Sequence, residues 1–163
     1  VDDVFIGRIE VRPPLNDTER AHLATLGASG STLRGTPTGR GDTSVPFAHL
    51  AWEACPSGCC LTWNGLEHGK HLAESLRFLV QHLFGPEARV AGHPAFSAFT
   101  CDHVLDGLVA ARGRDGRTYV VEASRNRVSG RDGRPACAQG GDQRRGRARP
   151  RPANVIEFRP RRA

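Results

Sequence analysis

Leucine or valine stands at positions 72, 76, 79, 80 and 83, at spacings of four, three, one and three. Apolar residues at those intervals line one face of an α-helix. Gly85-Pro86 directly after them is a helix stop, so a helix is expected over about residues 71–84. A helix that is apolar on one side cannot stand alone in water. The other elements must supply a layer that covers it.

Most of the remaining periodic stretches read as strands. In VFIGRIEVR (Val4–Arg12), Phe5, Ile9 and Val11 share one face while Arg8, Glu10 and Arg12 take the other, the period of a half-buried strand. Pro13-Pro14 ends it. Asn16 followed three residues later by Glu19 is a capping box for a short helix with Leu23 and Leu26 inside and Gly27 as its stop. Residues 28–45 (ASGSTLRGTPTGRGDTSV) lack periodicity and read as a long surface loop. Short strands over residues 49–55 and 59–64 are joined by Pro56-Ser57-Gly58, a hairpin composition that puts Leu61 and Trp63 on one buried face. Strands over residues 104–112 and 117–123 flank Asp115-Gly116, a favoured tight-turn pair, and a further strand follows near Arg127 and Val128. The elements fall into blocks instead of alternating as βαβ units. The expected class is α+β, with a mainly antiparallel sheet of five to six short strands and two helices packed on one face.

The net charge of +6 is unevenly placed: residues 1–141 hold 15 Arg or Lys and 15 Asp or Glu, while residues 142–163 hold eight Arg against Asp142 and Glu157. The body is neutral and the excess sits at the C-terminal end. Residues 1–130 are therefore expected to form a single domain, and residues 131–163 a low-complexity, disordered, basic tail rich in Arg, Gly and Pro. Val155, Ile156 and Phe158 form an apolar island that could dock as a strand or a partner-binding peptide. Cys55, Cys59, Cys60, Cys101 and Cys137 are an odd, clustered set unlike a disulfide framework, and no apolar signal core precedes the first strand. A reduced, cytoplasmic chain is expected. Apolar runs fall far short of the ~20 residues that cross a bilayer, so no membrane contact is expected. The lack of methionine and the bias toward Arg, Gly, Ala and Pro fit a GC-rich bacterial gene.

Three stretches carry a resemblance: FIGRIEVRPPLNDTERAHL, PSGCCLTWNGLEHGKHLAESLRFLVQHLFGP and CDHVLDGLVAARGRDGRTYVV. Together they resemble a group of small uncharacterised actinobacterial proteins over most of residues 4–128. The resemblance leaves the tail out and implies no assigned activity and no catalytic residue. It implies a single-domain, bacterial, cytoplasmic protein.

The densest chemical cluster is Cys55, Cys59, Cys60, His68 and His71, possible soft-metal ligands within 17 residues. A hairpin at Pro56–Gly58 would set Cys55 across from Cys59 or Cys60. Neighbouring strand residues point to opposite faces, so only one of Cys59 and Cys60 is expected to join. His68 and His71 would complete a tetrahedral site, with zinc the ion in view. The pattern is not the C-x2-C knuckle of common zinc sites, and buried structural thiols are the alternative. Cys101 and His103 are a weaker candidate catalytic pair of nucleophile and base, too far apart on one strand face for a direct hydrogen bond unless the backbone bends. Asp102 would face away, and Asp102 and Asp106, with Arg112 nearby, would cap or solvate the start of the meander. No P-loop, dinucleotide fingerprint, G-x-S-x-G or H-E-x-x-H occurs. Arg144, Arg145, Arg147, Arg149 and Arg151 could neutralise several phosphates and give salt-dependent contact with nucleic acid or another anion.

The first expectation is therefore a small non-enzymatic binding or accessory module with no cofactor. Its neutral body would meet an unknown protein or small-molecule ligand, and its tail an anionic partner. The alternatives are a Cys/His metal-binding protein or thiol-dependent enzyme, and a nucleic-acid-binding protein acting through the tail.

Overall fold

The structure is a computed structural model that describes residues 4–28, 47 and 49–133. The expected loop over residues 28–45 and the tail with its five named arginines lie, but for Ala28 and Arg131–Gly133, outside the described residues. The order of elements is β1 (Val4–Arg12), α1 (Asp17–Ala28), β2 (Trp52–Ala54), β3 (Cys60–Trp63), α2 (Leu72–Leu79), β4 (Val104–Arg112), β5 (Thr118–Ser124) and β6 (Arg127–Gly133). The fold is α+β: a six-stranded antiparallel sheet ordered β2-β3-β1-β4-β5-β6, with two helices.

The sheet grows from the long β1–β4 pair, which runs in register from Val4 opposite Arg112 to Arg12 opposite Val104. Both strands bury alternate residues, Ile9 and Val11 on β1 with Leu105, Val109 and Ala111 on β4. The period of two in the sequence becomes one covered and one open face. Val104 and Leu108 of β4 and Ile6 of β1 stand on the open face and are exposed. The covered face carries α1 against β2, and α2 against β2, β5 and β6.

The stripe foreseen on the second helix is the centre of the core: Leu72, Leu76 and Leu79 are 0% exposed and Leu83 is 1%. The helix is less uniform than its pattern. A single 3-10 turn at Gly69–His71 leads in, and the last stretch, Val80–Phe84, widens into a π-turn before Gly85 ends it in an extended conformation. The capping box forms as read. Glu19 N–H donates to Asn16 Oδ1 at 3.0 Å and Asn16 N–H donates to Glu19 Oε2 at 2.8 Å. Leu23 and Leu26 are buried, but Gly27 does not stop the helix, which runs through Ala28.

The two turns of the meander differ. After β4, Gly116 N–H donates to Gly113 O and Gly113 N–H to Arg117 O, both at 2.9 Å, and Gly116 has φ of 73°. Asp115-Gly116 thus closes a three-residue loop with a left-handed glycine, not a two-residue turn. Between β5 and β6 the two-residue turn is Arg125-Asn126, with φ of 48° and 67°. Asn126 offsets that strain by anchoring the start of β4. Its Oδ1 accepts from Leu105 N–H at 2.7 Å and its Nδ2 donates to His103 O at 2.9 Å. Strand β6 continues to Gly133, three residues beyond the expected boundary at 130. No helix among the described residues is long and apolar enough to cross a membrane.

Candidate metal and thiol site

The hairpin between β2 and β3 is held by its own backbone and by the segment after β1. Cys55 N–H donates to Cys60 O at 3.0 Å, and Gly58 N–H donates back to Cys55 O at 2.9 Å. Gly58 has φ of 73°, and a β-carbon there would lie 2.3 Å from Leu15 O. No other residue fits that corner. Leu15 N–H donates to Gly58 O at 3.0 Å, and Val11 N–H to Cys59 O at 2.9 Å. The Arg20 guanidinium on α1 donates to Pro56 O, tying the outside of the turn to the first helix.

This framework brings three thiols together. The sulfurs of Cys55, Cys59 and Cys60 all lie within 4.8 Å of one another. Cys55 Sγ is 3.6 Å from Cys59 Sγ, and Ser57 Oγ sits between them at 3.3 Å and 3.0 Å. The expectation that only one of Cys59 and Cys60 could join Cys55 is overturned. It assumed that both adjacent residues lie in a strand. Strand β3 begins at Cys60, so Cys59 belongs to the turn and escapes the strict alternation of side chains.

The three thiols differ in character. Cys59 is exposed, Cys55 half-buried and Cys60 buried. Partial burial pushes the Cys55 thiol up, but hydrogen bonds from Ser57, Cys60 and Cys59 outweigh it and hold its pKa at about 6. Burial pushes Cys60 up to about 12, reinforced by hydrogen bonding to Cys55 and by the neighbouring thiolate charge. Of the two, Cys55 gives up its proton first and Cys60 holds its proton the more firmly.

The two histidines expected to complete a metal site do not join the group. His68 opens the 3-10 turn, where its Nδ1 accepts from Lys70 N–H at 3.1 Å. Its Nε2 faces Asp115 Oδ2 at 3.6 Å and its ring lies edge-on to Tyr119. It is thus committed to the β4–β5 turn. His71 is the residue before α2 and makes no side-chain cap. The cause lies in residues 64–68. After β3 the chain turns through Gly65, with φ of 73°, and carries His68 to Asp115 and Tyr119.

Cys101 and His103 are also separated in role. Residues 101–103 precede β4 instead of forming a strand, and Cys101 has φ of 50°. The Cys101 thiol donates to Leu83 O at 3.6 Å. Burial raises its pKa, helped by the charges of Glu19 and Asp102, so it stays protonated. His103 Nδ1 donates to Pro13 O at 2.7 Å, while Nε2 lies 3.0 Å from Glu19 Oε2 and 3.0 Å from Thr100 Oγ1. The ring is 1% exposed and Glu19 is fully buried. This is an internal tether with no access for a substrate. Asp106, expected at the start of the meander, instead caps the β5–β6 turn, accepting from Arg125 N–H at 2.7 Å.

Sequence reasoning missed Ser57. Its position between the cysteines in C-P-S-G-C-C was the available signal, since a hydroxyl two residues from each thiol can reach both only if the turn is tight. A cleft of about 590 Å³ between α1 and β2 opens beside the hairpin, lined in part by Arg20, Leu23, Trp52, Ala54 and Cys55 among the described residues. Comparison of the chain with family models, curated proteins and solved structures gave no match. The functional reading therefore rests on the hairpin itself.

Proposed function

We propose that the protein is a small non-enzymatic accessory module that binds one soft metal ion, Zn²⁺ or Cu⁺, through Cys55, Cys59 and Cys60. The observation that carries this reading is the convergence of three sulfurs within 4.8 Å. A tetrahedral zinc with Zn–S of about 2.3 Å would set its sulfurs about 3.8 Å apart. Cys55 and Cys59, at 3.6 Å, already meet that spacing. An all-sulfur donor set disfavours Mg²⁺ and Ca²⁺ and suits Zn²⁺ or Cu⁺. Hydrogen bonds to Cys55 favour its thiolate, and the exposed Cys59 offers a way in. Three protein ligands leave the fourth position of a zinc ion to water or to a partner, which suits a module that passes or senses metal.

Metal analysis of the full chain purified without a polyhistidine tag tests the reading. One equivalent of zinc or copper is expected, together with thiolate-to-cobalt absorption on titration with Co²⁺. Both should be lost in Cys59→Ser. Because Cys60 must give up its proton to bind, affinity should rise with pH through the neutral range. A chain that retains no metal and shows no thiolate-to-metal absorption would remove the proposal.

A further inference from the structure

The same hairpin supports chemistry that needs no metal. Two of its sulfurs stand at contact distance, 3.6 Å apart, on a turn pinned at both ends by backbone hydrogen bonds. A disulfide needs them to close to about 2.05 Å, a movement of side chains within a short loop. The third sulfur, on Cys60, is buried at the start of β3.

We propose that Cys55 and Cys59, with sulfurs 3.6 Å apart, form a dithiol–disulfide couple that exchanges with low-molecular-weight disulfides, Cys55, which lines the cleft between α1 and β2, as the attacking thiol and Cys59 as the resolving thiol. In the first step Cys55 gives its proton to the solvent and its Sγ attacks one sulfur of a disulfide RS–SR. The Cys55–SR bond forms, the RS–SR bond breaks, and RS⁻ leaves. In the second step Cys59 gives its proton to the solvent or the departing thiolate and attacks Cys55 Sγ. The Cys55–Cys59 bond forms and a second RS⁻ leaves. The protein dithiol loses two electrons, and RS–SR gains them to become two thiols.

The surroundings divide the labour. Ser57 Oγ lies 3.3 Å from Cys55 Sγ and 3.0 Å from Cys59 Sγ, so its hydroxyl can donate to the thiolate while accepting from the Cys59 thiol. Cys60 is buried at the start of β3, which removes it as a rival resolving thiol. Cys59 is exposed and can turn toward a mixed disulfide on Cys55. The couple stands apart from metal binding, and its formation would remove two of the three metal ligands.

The experiment uses the full chain, freed of metal by a chelator, equilibrated with mixtures of reduced and oxidised glutathione, acid-quenched, alkylated and mapped by tandem mass spectrometry. Wild type and Cys60→Ala are expected to form the Cys55–Cys59 disulfide. Cys59→Ser should stop at a glutathione adduct on Cys55, and Cys55→Ser should react at least tenfold more slowly at pH 7. A wild-type chain that stays reduced in excess oxidised glutathione overturns the proposal, as does a disulfide mapping to Cys60 or an adduct on Cys59 in preference to Cys55. Because metal is absent throughout, these outcomes are independent of the metal-binding result.

Discussion

At the scale of single residues, Glu19 shows how one side chain can serve two purposes. As the third residue of α1 it closes the capping box, and its two oxygens also accept from Thr100 N–H at 2.9 Å and approach His103 Nε2 at 3.0 Å. Burial pushes its pKa up, but the backbone donors of Thr100 and Asn16 and the contact with His103 outweigh that and hold it below its ordinary value of 4.5. A depressed folded-state pKa means that the ionised carboxylate is favoured by folding. Its stabilisation is complete above that ordinary value and is lost as pH falls through it toward the folded-state pKa. Glu19→Ala removes cap and tether together and is expected to cost about 3 kcal/mol, near the lower end for breaking a buried pair. Glu19→Gln keeps the geometry of the cap, so it should cost less and flatten the decline of stability below pH 5. Urea unfolding at pH 7 and pH 4 checks both. The cap was legible from Asn16 and Glu19 alone, because it is a contact between near neighbours. The tether was not, because Thr100 and His103 lie more than 80 positions away.

At the scale of elements, local period decided most of what could be read. The spacing of Leu72, Leu76, Leu79 and Leu83 marks the buried side of α2, and all four are buried. Replacing Leu76 or Leu79 by Ala is expected to cost about 2–5 kcal/mol, since the surrounding core can only partly close over the lost volume. Thermal or urea unfolding measures it, and wild-type stability in both variants would contradict the packing. The turns were harder to read. Asp115-Gly116 marks a turn in any reading, yet the loop length depends on where the ladder of β4 and β5 closes, at Gly113 and Arg117. Arg125-Asn126 carries only a weak turn signal. It holds two positive φ values because Asn126 is hydrogen-bonded to Leu105 at the start of β4 and to His103 just before it. The hairpin at Pro56-Ser57-Gly58 was legible as a hairpin, while the strand boundary at Cys60, and with it the meeting of three thiols, was not.

At the scale of the whole molecule, charge is the property that sequence describes most directly, because it needs only a count. Residues 1–141 balance 15 cations with 15 anions, and the excess lies in residues 142–163. We therefore expect any affinity for polyanions to reside in that segment and to fall steeply between low and physiological salt, because releasing counterions into a saltier solution gains less entropy. Binding of random oligonucleotides by the full chain and by a chain ending at Gly141, across a salt series, checks this. Equal, salt-insensitive binding by both would move the contact to the body. The α+β class, the β1 strand with its buried face, the two helices and the cysteine-bearing turn were all determined by sequence, because each follows from residue spacing within one element or from turn chemistry between neighbours. Tertiary structure alone decided the strand order β2-β3-β1-β4-β5-β6, the separation of His68 and His71 from the cysteines, and the burial of His103 against Glu19. It also decided that Cys59 joins Cys55 and Cys60, since Gly58 must press against Leu15 for the turn to close. Those outcomes depend on contacts between segments far apart in the chain, where sequence spacing carries no distance.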